Sequence, residues 1–150
     1  KDKQIYKLDK TEIFFYDKNK INYIINSKRS SLINSNKEIK LEGDVKLYDL
    51  YNRDNIISAN NAFWNIDKSN FLLDGDVILI NNDINLISSK AVLDKKENTI
   101  KFFKPVKYKY LDNNSSLKYK LKSENAYYDL NKKILLFESK KERIKSKLEF

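Results

Sequence analysis

The chain has 150 residues and a net charge of +9, with no Cys, no His, two Gly and one Pro. Those absences exclude disulfides, thiolate or imidazole metal sites, and the Ser-His and Cys-His arrangements of nucleophilic catalysis. A length of this order suits a domain that buries roughly 70% of its unfolded surface, and residues 1–150 are read as one domain.

The basic residues are 27 Lys and only three Arg, beside 19 Asn and 17 Ile, which is the signature of an AT-rich coding bias. Phosphate and base readout favour the bidentate fork of Arg, so no nucleic-acid partner is expected. No apolar run approaches the ~20 residues that a membrane span requires. The first residue is not Met, and an N-terminal membrane anchor is expected to be missing from these residues.

In chain order, the first unit spans about 11–48. "EIFFYDKNKINYI" offers two apolar runs around a polar turn, and "DVKLY" places Val45 and Leu47 on one face with Asp44 and Lys46 opposite. Such period-two alternation of β-branched and aromatic residues describes strands. The unit ends on Leu41-Glu-Gly-Asp-Val45, and thirty-two residues later stands Leu73-Asp-Gly-Asp-Val77. At that offset Ser27 falls on Ala59, Ser30 on Ala62 and Leu32 on Trp64, which defines a second unit over about 57–80.

A third unit, about 87–110, has Ala91 where Ala62 stood and Pro105-Val106 where Asp76-Val77 stood. A fourth, about 117–139, brings Ala126 before an aromatic pair and an Asp. Polar turns opened by Asp recur at 16–21, 66–71, 93–100 and 128–134, where Asx side chains cap the reversal. Gly within a strand marks a bulge or bend, so Gly43 and Gly75 are expected where strands pass between layers. The third unit, with Pro105 beside the vacant glycine position, is where the pattern should break.

The fold class that follows is all-β: a twisted β-jelly roll or β-solenoid-like roll of about a dozen antiparallel strands. Its inward set is Val45, Leu47, Trp64, Ile66, Val77, Leu79, Leu86 and Val92, continued by Ile100, Phe102, Val106, Tyr108, Leu121, Tyr128 and Leu130. These residues describe either a closed core or an open groove. A turn at 112–115 would set Lys109 against Lys118 and Lys107 against Lys120, all pointing outward. Such a cluster either protects a strand edge or meets an anion. Exposed strand edges are expected at "QIYKL" and "EIFFY" and at 134–139. No phosphate-binding loop is present, no carboxylate pair stands out, and neither catalysis nor a cofactor is expected.

The unit of two small residues, an aromatic, an Asp turn and Leu-x-Gly-x-Val resembles the OstA-type repeat of lipopolysaccharide transport proteins. The best stretch is 57–94, "ISANNAFWNIDKSNFLLDGDVILINNDINLISSKAVLD". In length and in its diverged first unit the chain is most similar to LptC, with LptA as a close rival. The resemblance implies a periplasmic carrier, anchored at the inner membrane in its full-length form. Its interior would hold the acyl chains of lipid A, with the inward set as the groove and Lys107, Lys109, Lys118 and Lys120 as an anionic contact. It also implies strand addition to an inner-membrane ABC transporter and to an LptA-like bridge, with possible end-to-end self-association. A soluble LptA-like bridge and a structural β-repeat scaffold without lipid are the alternatives.

Overall fold

The computed structural model describes residues 6–17, 20–33, 37–49, 56–65, 67–68, 70–81, 84–111, 116–139 and 145–149. All regular structure among them is strand. β1 is Tyr6–Asp17, β2 Lys20–Ile33, β3 Glu38–Asp49, β4 Ile56–Asn65, β5 Asn70–Asn81 and β6 Ile84–Asp94. β7 is Thr99–Phe103, β8 Val106–Leu111, β9 Leu117–Ser123, β10 Asn125–Asp129, β11 Ile134–Glu138 and β12 Lys145–Glu149. The dozen strands are antiparallel, form one large sheet not closed into a barrel, and give a jelly-roll-like fold.

Neighbouring strands pair in sequence order from β1 to β6, and there the sheet divides. One half of β6 pairs with β7, which leads to β10, β11 and β12; the other half pairs with β8, which leads to β9. β7 and β8 amount to one long strand interrupted at Lys104–Pro105, whose peptide bond is cis. As the sequence suggests, the third copy breaks at the vacant glycine position, and Pro105 stands immediately before β8.

Each long strand bends near its middle, and the sequence repeat is the chemistry of that bend. In β3 the buried series Ile39, Leu41, Val45, Leu47 is interrupted by Gly43 (φ 81°) and Asp44 (φ 45°), both left-handed. The register against β4 shifts between Glu42 and Val45. β5 repeats the device with Gly75 (φ 83°) and Asp76 (φ 46°), its register shifting between Asp74 and Val77. A bulge with a residue in the left-handed region bends the strand, and Gly adopts it without a Cβ penalty. Asp tolerates it better than most residues do.

In β2, β4 and β6 the bend is made differently. Two outward residues in succession lie between two small buried ones: Ser27 and Ser30 around Lys28–Arg29, Ala59 and Ala62 around Asn60–Asn61, Ser88 and Ala91 around Ser89–Lys90. Where serine holds the first position its hydroxyl meets a bend carbonyl. Ser27, Ser88 and Ser123 donate to the backbone oxygens of Arg29, Lys90 and Asn125 at 3.1, 3.0 and 2.8 Å.

These bends line up across the sheet as a crease. The Ser89 hydroxyl donates to the Lys104 carbonyl at 2.6 Å, and the Lys28 ammonium lies 2.9 Å from Asp44. That lysine, by hydrogen bond and by charge, holds the Asp44 carboxyl below its ordinary range. Inside the crease space is short, and the register shows how it is shared. Leu41 lies between Ser30 and Ala62, Leu73 between Ala62 and Ala91, Phe102 between Ala91 and Ala126. Large and small side chains alternate from strand to strand, which lets the folded sheet close to native density.

Gly75 is the tighter of the two glycines. A Cβ there would lie 2.8 Å from Asn60 Nδ2 and 3.1 Å from Asn60 Cβ, whereas at Gly43 the nearest atoms, on Lys28, are 3.2 Å away. The left-handed backbone alone costs a residue with a Cβ about 1–2 kcal/mol. Gly75→Ala is therefore expected to lose more stability than Gly43→Ala in thermal unfolding, with Asn60→Ala recovering part of the loss. Equal losses at the two positions would show that the Asn60 contact is immaterial.

The turns follow the Asx chemistry with one correction. Asp94 Oδ1 accepts from the amides of Lys96 and Glu97, and Asp129 Oδ1 from those of Asn131 and Lys132. In the turn after β4, however, the acceptor is Asn65, which takes the amide of Asp67 at 3.0 Å. Asn65 ends the strand, and the capping oxygen belongs to the residue that ends the strand.

The edges also differ from expectation. β1 is an edge, as expected, although residues 4 and 5 lie outside the described ones. At the other end β12 pairs with β11 and covers 134–139, so β12 forms that edge. Among the described residues β9 pairs only with β8 and is a third edge.

Candidate functional site

The crease folds the sheet into two layers with their apolar faces together. In one layer lie β8 and β9, in the other β7 and β10–β12, and β1–β6 contribute a half-strand to each. Contacts between the layers are specific. The rings of Tyr108 (β8) and Phe137 (β11) meet at 5.3 Å between centroids. The Tyr23 hydroxyl donates to Asn98 Oδ1 at 3.1 Å, joining residues 75 positions apart at the rim where the layers face each other. Tyr128 hydrogen-bonds Asn81 across the same interior, and its phenol is raised above its ordinary value by burial, against the pull of that bond.

Of the expected inward set, ten residues form the fully enclosed part. Val45, Leu47, Val77, Leu79 and Leu86 are buried, and so are Ile100, Phe102, Val106, Tyr108 and Tyr128. Trp64, Leu121 and Leu130 are half-buried and pack against this cluster from its margin. Trp64 stacks on Phe71 with centroids 4.9 Å apart and planes at 23°. Its indole Nε1 donates to the Lys68 carbonyl at 3.0 Å. The interior is thus sealed where it is described, with Trp64 at a rim and Tyr108 deep within. Ile66 lies outside the described residues.

Val92 is a correction. Its neighbours Ala91 and Leu93 are buried, and Val92 points to the outer face. The inward series of β6 runs Ile84, Leu86, Ser88 and then, after Ser89 and Lys90, continues at Ala91 and Leu93. The two successive outward residues of the crease advance the alternation by one, which reverses every later residue of the strand. Ala91 and Leu93 were missed for the same reason; the signal that finds Ala91, and Ala62 before it, is the pair of small residues three apart.

The lysine hairpin is a second correction. Lys109 pairs with Lys120 and Lys107 with Lys122, instead of with Lys118 and Lys120. The register shifts between Tyr110 and Leu111, which face Tyr119 and Leu117, so Lys118 falls in the bulge. The same irregularity leaves Leu117 exposed. The turn itself, 112–115, lies outside the described residues. Lys107, Lys109, Lys120 and Lys122 still share one outer face, around a shallow hollow of about 250 Å³ also lined by Tyr108 and Leu121. A larger hollow, about 470 Å³, lies on the opposite outer face between Lys40, Glu42, Phe63, Leu72 and Asp74, where both signs of charge are present.

Among the described residues no group of acidic side chains could hold a metal, and no helix is long and apolar enough to cross a membrane. What the molecule presents is a jelly-roll-like β-sheet folded around a continuous apolar filling. The family model for lipopolysaccharide-assembly, LptC-related proteins matches residues 1–110. The chain belongs to that family, and so has a role in lipopolysaccharide transport. No curated protein matches it.

Proposed function

We propose that the chain is the periplasmic, inner-membrane-anchored component that takes lipid A acyl chains between its two layers. In this reading it receives them from an ABC transporter and passes them through an LptA-like bridge to the outer membrane. The observation that supports this is the interior: one apolar cluster running the length of the roll, between layers that share no ladder beyond β6 among the described residues. Each buried acyl methylene contributes roughly 0.8 kcal/mol, so ten of them hold a chain by about 8 kcal/mol before ordering costs. Capture needs no covalent chemistry. Loading requires the sealed layers to part, and the energy for directional movement comes from the transporter. Partner strands add at the exposed edges, where unpaired backbone groups await pairing.

The sealed interior favours one second reading, an envelope scaffold with a closed core. A photoreactive residue placed at Trp64, at Tyr108 and at outward Leu136 of β11 separates the two in living cells. Crosslinks to lipopolysaccharide are expected from Trp64 and Tyr108 and not from Leu136. Their absence at both inward positions would leave the scaffold.

A further inference from the structure

The register across the outer face of the layer that holds β8 and β9 reveals an order that no single segment shows. One rank runs Ile56, Ile80, Asn85, Lys109, Lys120. The next, two residues along each strand, runs Ser58, Ile78, Ile87, Lys107, Lys122. Both pass from isoleucines to a directly opposed pair of lysines. On its other side the first rank continues through Tyr48 and Ile24 to Phe14. Ile80 is 46% and Phe14 42% exposed, and the isoleucines between are half-buried.

The charge on this face is of one sign where the lysines stand. The only acid that the described residues place in these two ranks is Glu12, at the far β1 end. The other outer face differs. Its exposed apolar residues Phe63, Leu72 and Tyr127 share a rank with Lys40 and Lys101, while the neighbouring rank sets Glu42 and Asp74 beside Lys90, so its charge is mixed and no patch of one sign forms there. Lysines facing each other across a ladder also destabilise it, so two such pairs on the β8–β9 edge hairpin are costly unless an anion neutralises them.

We propose that this face seats the domain on the surface of an anionic phospholipid bilayer. The lysine pairs would meet headgroup phosphates, and the Ile78, Ile80 and Ile87 patch would reach the acyl boundary beside them. Adjacent strands lie about 4.8 Å apart, so isoleucines and lysines are within roughly 10–15 Å of each other and contact one membrane together. The face lies outside the apolar interior, and the proposal stands or falls separately from the carrier reading.

The test is co-sedimentation of the 150-residue chain with two kinds of vesicle. One kind is equal parts phosphatidylglycerol and phosphatidylcholine; the other is phosphatidylcholine alone. Binding is expected for the first only and weakens with salt. Each lysine near an anionic surface is worth about fivefold in affinity. The variant K107E/K109E/K120E/K122E should therefore lose at least about a hundredfold, with the Lys→Gln version used if the charge reversal unfolds. The variant I78S/I80S keeps every charge and should lose about tenfold. Unchanged thermal unfolding certifies each variant. Equal binding to both vesicles, or wild-type binding by the two variants, overturns the proposal. So does a wild type that ignores vesicles while the lysine variant fails to support transport in cells, because that result assigns the face to an acidic protein.

Discussion

Joining the two layers at their rim is expected to reduce capture of lipopolysaccharide at least tenfold without unfolding the protein. The natural chain has no Cys, so Tyr23→Cys and Asn98→Cys introduce the only two thiols. They replace a hydrogen bond of 3.1 Å that already spans the layers, and a short bismaleimide can bridge the sites. The sealed interior gives this prediction its force. Tyr108 and its neighbours are fully buried, so acyl chains reach them only if the layers separate, and a covalent rim link opposes separation. The measurement is the yield of crosslinks from a photoreactive residue at Tyr108 after mixing with lipopolysaccharide, for linked and unlinked protein. A reductant-cleavable linker should restore the yield. Equal yields with and without the link would mean that lipid does not enter by opening this rim.

The second large effect is on stability. Phe102→Ala should cost about 3–5 kcal/mol, lowering the midpoint of thermal unfolding by roughly 10 °C. The ring is wholly buried, and its cross-strand neighbours on both sides are alanines, Ala91 and Ala126. Neither can extend into the space the ring leaves, so collapse is limited and the cost falls toward the upper part of the range. The same truncation at Leu136, which is exposed on β11, should change stability by less than about 0.5 kcal/mol. Similar losses at the two positions would contradict the alternation of large and small side chains inside the crease.

Much of this architecture is legible in the residues. The Leu-x-Gly-x-Val repeat marks the bends of β3 and β5 because only a residue without Cβ passes cheaply through the left-handed region at Gly43 and Gly75. The vacant glycine at Lys104–Pro105 marks the interruption between β7 and β8. Less legible was the bend of the even strands. Two successive outward residues reverse the alternation, and a reading that keeps strict period two carries Val92 inward when it lies outward. Pairing partners were least accessible. The lysines' partners lie two residues further on than expected: the pairing of Leu111 with Leu117 accounts for one residue and the bulge at Lys118 for the other, and nothing local announces either. The ranks of isoleucine and lysine exist only once β4, β5, β6, β8 and β9 are laid side by side, because β6 and β8 are joined through β7 on the other layer.

The division of the sheet beyond β6 gives the molecule a direction. One end is a single bent strand, β1, with an unbroken edge of 12 residues. The other presents two separate borders, β9 and β12, on different layers. The ends are not copies of each other, so no twofold axis relates them, and units joined with one end against the other would associate heterologously, head to tail. A row of such units would have a sense, like an arrow, and cargo moving along it would meet the same end of every unit first.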